Sequence, residues 1–142
     1  MPVRAVALAA VAWTLLGTSP SSDLDIELSH VRSAKGLVRL CLTADPDNFP
    51  NCTDDRNALT RSLPAATRGV RFASLSPGGY AVAVIHDENA NAKLDTFAGI
   101  PKEGFGFSRN PPVRFGAPRF AAARFRLDGG AQTQQVRMRY IL

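Results

Sequence analysis

Asp87, Asn89, Asn91 and Asp95 place oxygen-bearing side chains at relative positions 1, 3, 5 and 9 of one short segment. In a tight loop this spacing turns alternate side chains inward, and the backbone carbonyl of Lys93, at relative position 7, joins them. Hard cations such as Ca²⁺ take about six to eight oxygens, and EF-hand loops supply them with this spacing. Two features depart from that pattern. Ala92 stands at relative position 6, where glycine allows the sharp turn, and a residue with a Cβ at positive φ there costs about 1 kcal/mol. Ala98 stands at relative position 12, so the bidentate carboxylate is missing; Glu88 and Glu103 are the nearby substitutes, neither at that spacing. Two carboxylates and two amides predict a weak calcium site, with an affinity of about 10⁻⁴–10⁻³ M as in extracellular modules. The same residues suit a metal-free loop whose Asx side chains cap their own backbone amides. The sequence leaves both readings open.

His86 adjoins this loop, and Glu103 and Ser108 follow in the same long segment. Histidine, carboxylate and hydroxyl are the parts of a nucleophilic hydrolase site, so a hydrolase using His86 is one reading. No nucleophile-elbow motif accompanies the three, and a histidine that closes a strand also serves as a local hydrogen-bonding group; no catalytic residue is assigned. Phe97, Phe105, Phe107 and Phe115, with Lys102 and Arg109, form an aromatic and basic set. It suits a recognition surface for a glycan, a peptide or an envelope component. The competing expectation is that these rings fold inward as a small core that orders a glycine-rich loop. One or two exposed rings would satisfy both.

The elements that must hold these residues read mostly with period two. Leu24, Ile26 and Leu28 alternate with acidic residues, and Val38, Leu40 and Leu42 repeat the alternation, as half-buried strands do. Cys41 then falls on the face opposite the core. Residues 53–67 read as a long connection or irregular edge ended by Pro64. Val70 and Phe72 alternate again, 76–79 is a turn signal, and 80–85 is continuously apolar, as in a central strand covered on both faces. Residues 86–118 read as one long loop rich in Gly and Pro, and such loops inside a compact domain are usually functional. Phe120–Leu127 reads as a strand, Gly129-Gly130 as a turn, and 134–142 as a closing strand. Six or seven short strands with little helix predict an all-β fold, an antiparallel β-sandwich.

Composition sets the class. Hydrophobic residues are 45% and charged residues 20% of the 142, which is ordinary globular usage and excludes disordered and collagen-like chains. The formal net charge is +5, from 17 bases and 12 acids. Arg dominates the bases but is scattered without a run of like charge, so no nucleic acid is expected as partner. Residues 1–22 have a basic start, an apolar stretch over 5–16 and a small polar end, the layout of a signal peptide, which predicts a secreted or periplasmic location. That stretch is too short to span a bilayer, so no transmembrane segment is expected once it is removed. Cys41 and Cys52 are the only cysteines, and an even count in an exported chain predicts a disulfide between them, contributing about 2–3 kcal/mol. Residues 23–142 then form one β-sandwich domain.

The run 79–89, then Asn91, Lys93-Leu94-Asp95, Gly99-Ile100-Pro101-Lys102-Glu103-Gly104-Phe105-Gly106-Phe107-Ser108 and Gly116-Ala117-Pro118 with Phe120 and Ala123 resembles domain-of-unknown-function family 2141, a bacterial family of exported proteins. The resemblance implies a transthyretin-like or immunoglobulin-like sandwich and no established activity. The family pattern reads Asn-Gly where this chain has Asn91-Ala92. Transthyretin-like folds include a purine-pathway hydrolase with a C-terminal Tyr-Arg-Gly-Ser signature, which this chain, ending Arg139-Tyr140-Ile141-Leu142, lacks. The resulting expectation is a secreted or periplasmic, non-enzymatic binding or accessory domain. Its ligand is an unknown envelope or extracellular component, and calcium is the one cofactor considered. The alternatives are a hydrolase using His86 and an envelope structural protein with a metal-free loop.

Overall fold

The computed structural model describes Met1 and residues 17–142. The apolar stretch of the expected signal peptide lies outside the described residues. Ten strands and one short helix follow in order: β1 Ser22–Ser29, β2 Leu37–Thr43, β3 Leu59–Pro64, β4 Gly69–Leu75, β5 Gly78–Asp87, β6 Thr96–Phe97, β7 Ile100–Pro101, β8 Gly104–Phe107, α1 Phe120–Ala123, β9 Phe125–Leu127 and β10 Gly130–Arg137. Among the described residues no helix is long and apolar enough to cross a membrane.

The strands form two main sheets. One has the order β10-β1-β4; the other has the order β3-β2-β5-β8, with β9 pairing the start of β5. Leu24, Ile26, Leu28, Phe72 and Val136 from the first sheet meet Val38, Leu40, Leu42, Val82 and Val84 from the second in one buried cluster. Val82 and Val84 come from the continuous apolar run of β5 and the others from period-two alternation, and full burial of each such side chain is worth about 1.5–3 kcal/mol. The sheets are mostly antiparallel, but β1 and β10 run parallel, with Ser22 opposite Gly130 and Ser29 opposite Arg137. The turn at Gly129-Gly130, both at positive φ, returns the chain beside the start of β1, so the first and last strands climb together.

Several segments differ from the sequence reading. Residues 59–64 are a regular edge strand paired along β2. Phe120–Ala123 is one helical turn rather than strand, leaving β9 only three residues. The long 86–118 segment is not featureless: it carries the β6–β7 hairpin and the strand β8, which pairs β5 with Ala83 opposite Phe107 and Ile85 opposite Phe105.

β8 explains its own glycines. In Gly104-Phe105-Gly106-Phe107 the glycines face inward and the phenylalanines outward. A Cβ on Gly104 would collide with the Tyr140 ring, and one on Gly106 would press on Val136 and Met138. Their absence lets the end of the chain cross β8 closely. There Phe105 and Arg139 exchange two backbone hydrogen bonds, of 3.0 and 2.8 Å, and join the two sheets along one side.

A second apolar cluster lies on the outer face of the larger sheet. It holds Cys41, Ala81, Ala83, Phe105, Phe107 and Ala123, with Phe49, Cys52, Val113 and Phe120 against them. β5 is therefore covered on both faces, as its apolar run predicts. The Cys41–Cys52 disulfide is formed, with Cα atoms 6.1 Å apart. It sits on this outer face, where the alternation of β2 places Cys41, and pins the 44–57 loop over the sheet. Phe49 packs edge-on against Phe107 and Phe120, with ring centroids 5.9 and 6.0 Å away.

Candidate functional site

β5 ends in Asp87, which is fully buried. Its Oδ1 accepts the Asn91 amide at 3.0 Å, and its Oδ2 accepts the Ala92 amide at 2.8 Å and Arg39 Nε at 2.8 Å. Burial pushes the Asp87 carboxyl up, but these three donors outweigh it and hold the group below its ordinary value. Asn89 Oδ1 accepts the Asn91 amide, and Asn91 Oδ1 accepts the Lys93 amide. Both asparagines then turn their Nδ2 groups to Asp95, at 2.6 Å from Asn89 and 3.0 Å from Asn91. Asp87, Asn89, Asn91 and Asp95 are thus brought together, and the N–H groups of the loop itself occupy their oxygens. Ala90 and Ala92 sit at φ of 54° and 62°, the left-handed region that glycine enters without penalty.

The two substitute carboxylates part company. Glu88 turns away to Arg32 and Ser33. Glu103 is buried and reaches back so that its Oε2 accepts the Asp95 amide at 3.4 Å. Its carboxyl is pushed above the ordinary value by burial, reinforced by the negative charges of Asp87 and Asp95. To take a cation, the loop must turn the asparagine amides so that oxygen replaces nitrogen opposite Asp95. Among the described residues no three His, Cys, Asp or Glu groups already stand in a metal-holding arrangement.

The hydrolase set is not assembled. His86 is buried, and its Nε2 lies 2.8 Å from the Lys35 carbonyl, which only accepts. Nε2 therefore carries the proton. Nδ1, 2.8 Å from the Tyr140 hydroxyl, accepts from it, and that hydroxyl accepts the Arg32 amide. Both ring nitrogens serve the closure of the sandwich. Ser108 lies at the other end of β8: its Oγ accepts the Val82 amide and donates to the Ala123 carbonyl. His86 pairs Gly104 while Ser108 bonds Val82, a separation of four residues along β5, or about 13 Å.

The aromatic and basic set divides as well. Phe105 and Phe107 are buried in the outer cluster, which matches the small-core expectation. Phe97 lies in β6. Lys102 is exposed beyond β7, and Arg109, exposed after β8, donates to the Arg124 carbonyl. Between these ends runs a groove of about 690 Å³. Its floor is Ala83, Ile85, Phe105 and Phe107. One wall is Leu94, Thr96, Ile100 and Pro101 of the hairpin, and the other is Val113, Arg114, Phe115 and Pro50. Leu94, Ile100, Phe115 and Ile141 all line it, and they are four of the six large hydrophobic residues that stand exposed among the described residues. Clustered apolar exposure marks a binding surface, whereas scattered exposure does not. The sequence reading missed Arg114, Leu94, Ile100 and Ile141. The available signal was Arg114 beside Phe115, in a segment after Pro111-Pro112 that carries no period-two alternation.

A family model described as an uncharacterised protein conserved in bacteria, DUF2141, matches residues 26–135. No curated protein and no solved structure matches the chain.

Proposed function

The chain belongs to the DUF2141 family of uncharacterised bacterial proteins, and on that footing we propose that it is an exported, non-enzymatic binding domain whose ligand seat is the outer groove. The observation that carries the reading is the coincidence of the groove with the exposed Leu94, Ile100, Phe115 and Ile141. A volume of about 690 Å³ falls within the range of small-molecule sites, about 300–1,000 Å³. The signal-like start and the Cys41–Cys52 bond support a secreted or periplasmic location. The test is binding of a neutral fluorophore, N-phenylnaphthylamine. The protein should enhance its emission, and Ala117→Trp, which fills the groove from an exposed wall position, should abolish the enhancement. No enhancement, or enhancement indifferent to Ala117→Trp, removes the groove as ligand seat.

Calcium at Asp87, Asn89, Asn91, Asp95 and the Lys93 carbonyl is a second reading, favoured by the approach of buried Glu103 to Asp95. Glu103 would supply the carboxylate that position 12 lacks. Binding to the native state alone at the expected affinity would add about 1.4–2.7 kcal/mol of stability at about 10 mM Ca²⁺. An unfolding midpoint unchanged from EDTA to that concentration rules it out.

A further inference from the structure

We propose that the groove takes the acyl chain of a single-chain acidic amphiphile, a free long-chain carboxylate, with its head group at Arg114; this rests on the groove being the ligand seat. Three observations select that chemistry. The floor offers side chains and no backbone edge, because β5 is paired by β2 and β8, and Phe105 on β8 is also bonded to Arg139. An extended peptide, which binds through an open edge, therefore has nothing to pair with on the floor. The lining is mostly apolar, around Ile85, Phe107, Ile100 and Phe115; its polar side chains are Asn51, Thr96 and Arg114, all in the walls, too few to satisfy the many hydroxyls of a sugar, which favours a hydrocarbon chain.

Charge then fixes the head group. Arg114 lines the groove beside Phe115 and is exposed; Lys93 and Lys102 flank the hairpin wall and are exposed too. None of the three takes part in an ion pair among the described residues. The carboxylates of Asp87, Asp95 and Glu103 are taken up by donors of the acidic loop and Arg39. An apolar slot rimmed by unpaired cations complements a chain that ends in an anion, and a guanidinium binds a carboxylate through two parallel hydrogen bonds.

The experiment is displacement of N-phenylnaphthylamine from the purified, oxidised protein by monomeric decanoate, dodecanoate and tetradecanoate and by the alcohols of equal length. Each added methylene should tighten binding about fourfold. Acids should bind better than alcohols, and Arg114→Gln should weaken each acid about tenfold more than the alcohol of equal length. Ala117→Trp, expected to bind no fluorophore, should also bind no dodecanoate in calorimetric titration, with Phe115→Ser, at a fully exposed position, as the second variant should the tryptophan disturb folding. Equal binding of acid and alcohol, or acids indifferent to Arg114→Gln, overturns the acidic head group while the groove stands on its fluorophore binding. A protein that binds no fluorophore loses both readings. Co-sedimentation with phosphatidylglycerol vesicles, without displacement by the monomeric acids, overturns the proposal in favour of a membrane surface.

Discussion

Ala92→Gly should stabilise the protein, although it removes a methyl group and adds no contact. Ala92 holds φ at 62° because its amide is tied to Asp87 Oδ2 at 2.8 Å, so the backbone cannot relax while that bond stays. A left-handed residue with a Cβ costs about 1–2 kcal/mol. The greater freedom of glycine in the unfolded chain returns about 0.4–1 kcal/mol of that. Ala92 is exposed, so the lost methyl leaves no cavity, and the balance is a gain of about 0.5–1 kcal/mol. For a domain of this size the midpoint should rise by about 2–4 °C. The assay is thermal and urea unfolding of the oxidised protein in EDTA, which keeps any ion out of the comparison. Ala131→Gly is the control: Ala131 is exposed in β10, paired in regular register opposite Asp23 and not at positive φ, and should lose about 0.5–1 kcal/mol. The opposite signs are the signature. If Ala92→Gly destabilises as the control does, the strain assigned to the acidic loop is not there.

Asp87→Asn should flatten the acid limb of the stability curve. The folded carboxyl is held below its ordinary value by Arg39 and the Ala92 and Asn91 amides against the opposing effect of burial. Its contribution is therefore present above the unfolded value, about 3.9, and is lost as pH falls through the lower folded value; urea unfolding from pH 7 to 2 checks it. Glu103 has the opposite sign. Burial, with Asp87 and Asp95, raises its folded value, so stability present below about 4.3 is lost as pH rises through that raised value. Glu103→Gln should accordingly unfold later than the natural protein at neutral pH in EDTA, and an earlier midpoint would contradict the account. Tyr140→Phe should cost about 1–3 kcal/mol, because the hydroxyl both donates to His86 Nδ1 and accepts the Arg32 amide. A neutral outcome in urea titration would mean that the His86–Tyr140 bond does not hold the sandwich closed.

The core was legible because one physical rule generates it. In β1, β2 and the end of β10, alternate residues face one covered surface, and Leu24, Ile26, Leu40, Leu42 and Val136 repeat at that period. The outward position of Cys41 follows from the same alternation. β8 was hidden because its alternation is inverted: its inner positions are glycines, since Val136, Met138 and Tyr140 from elsewhere in the chain already fill that space. Local sequence cannot register volume supplied from a distance. The acidic loop was legible to its inward turn, because Asx side chains act on amides two to five residues away. The approach of Glu103 was a substitute considered without a spacing to support it. The groove was the least legible part. Its walls come from 50–51, 94–101 and 113–117, and no periodicity joins three segments that meet only across a sheet.

The acidic loop and the groove share one member, the β6–β7 hairpin. The Asp95 carbonyl accepts the Lys102 amide at 2.8 Å, and the Asp95 amide donates to Glu103 at 3.4 Å. Both ends of the hairpin are thereby fastened to the residue that Asn89 and Asn91 also grip. Leu94, Thr96, Ile100 and Pro101, which form one wall of the groove, all lie between or beside these fastenings. Whatever tightens the loop around Asp95 therefore steadies that wall without touching a ligand, and a preordered wall binds more tightly because less freedom is lost on binding. Ala92→Gly should increase fluorophore affinity and Asp95→Ala should decrease it, although neither residue lines the groove. Fluorescence titration of the two variants reads the effect directly. An affinity that moves with neither would mean that the hairpin is held by its own turn and by the sheet beneath it, and that the loop and the groove are independent.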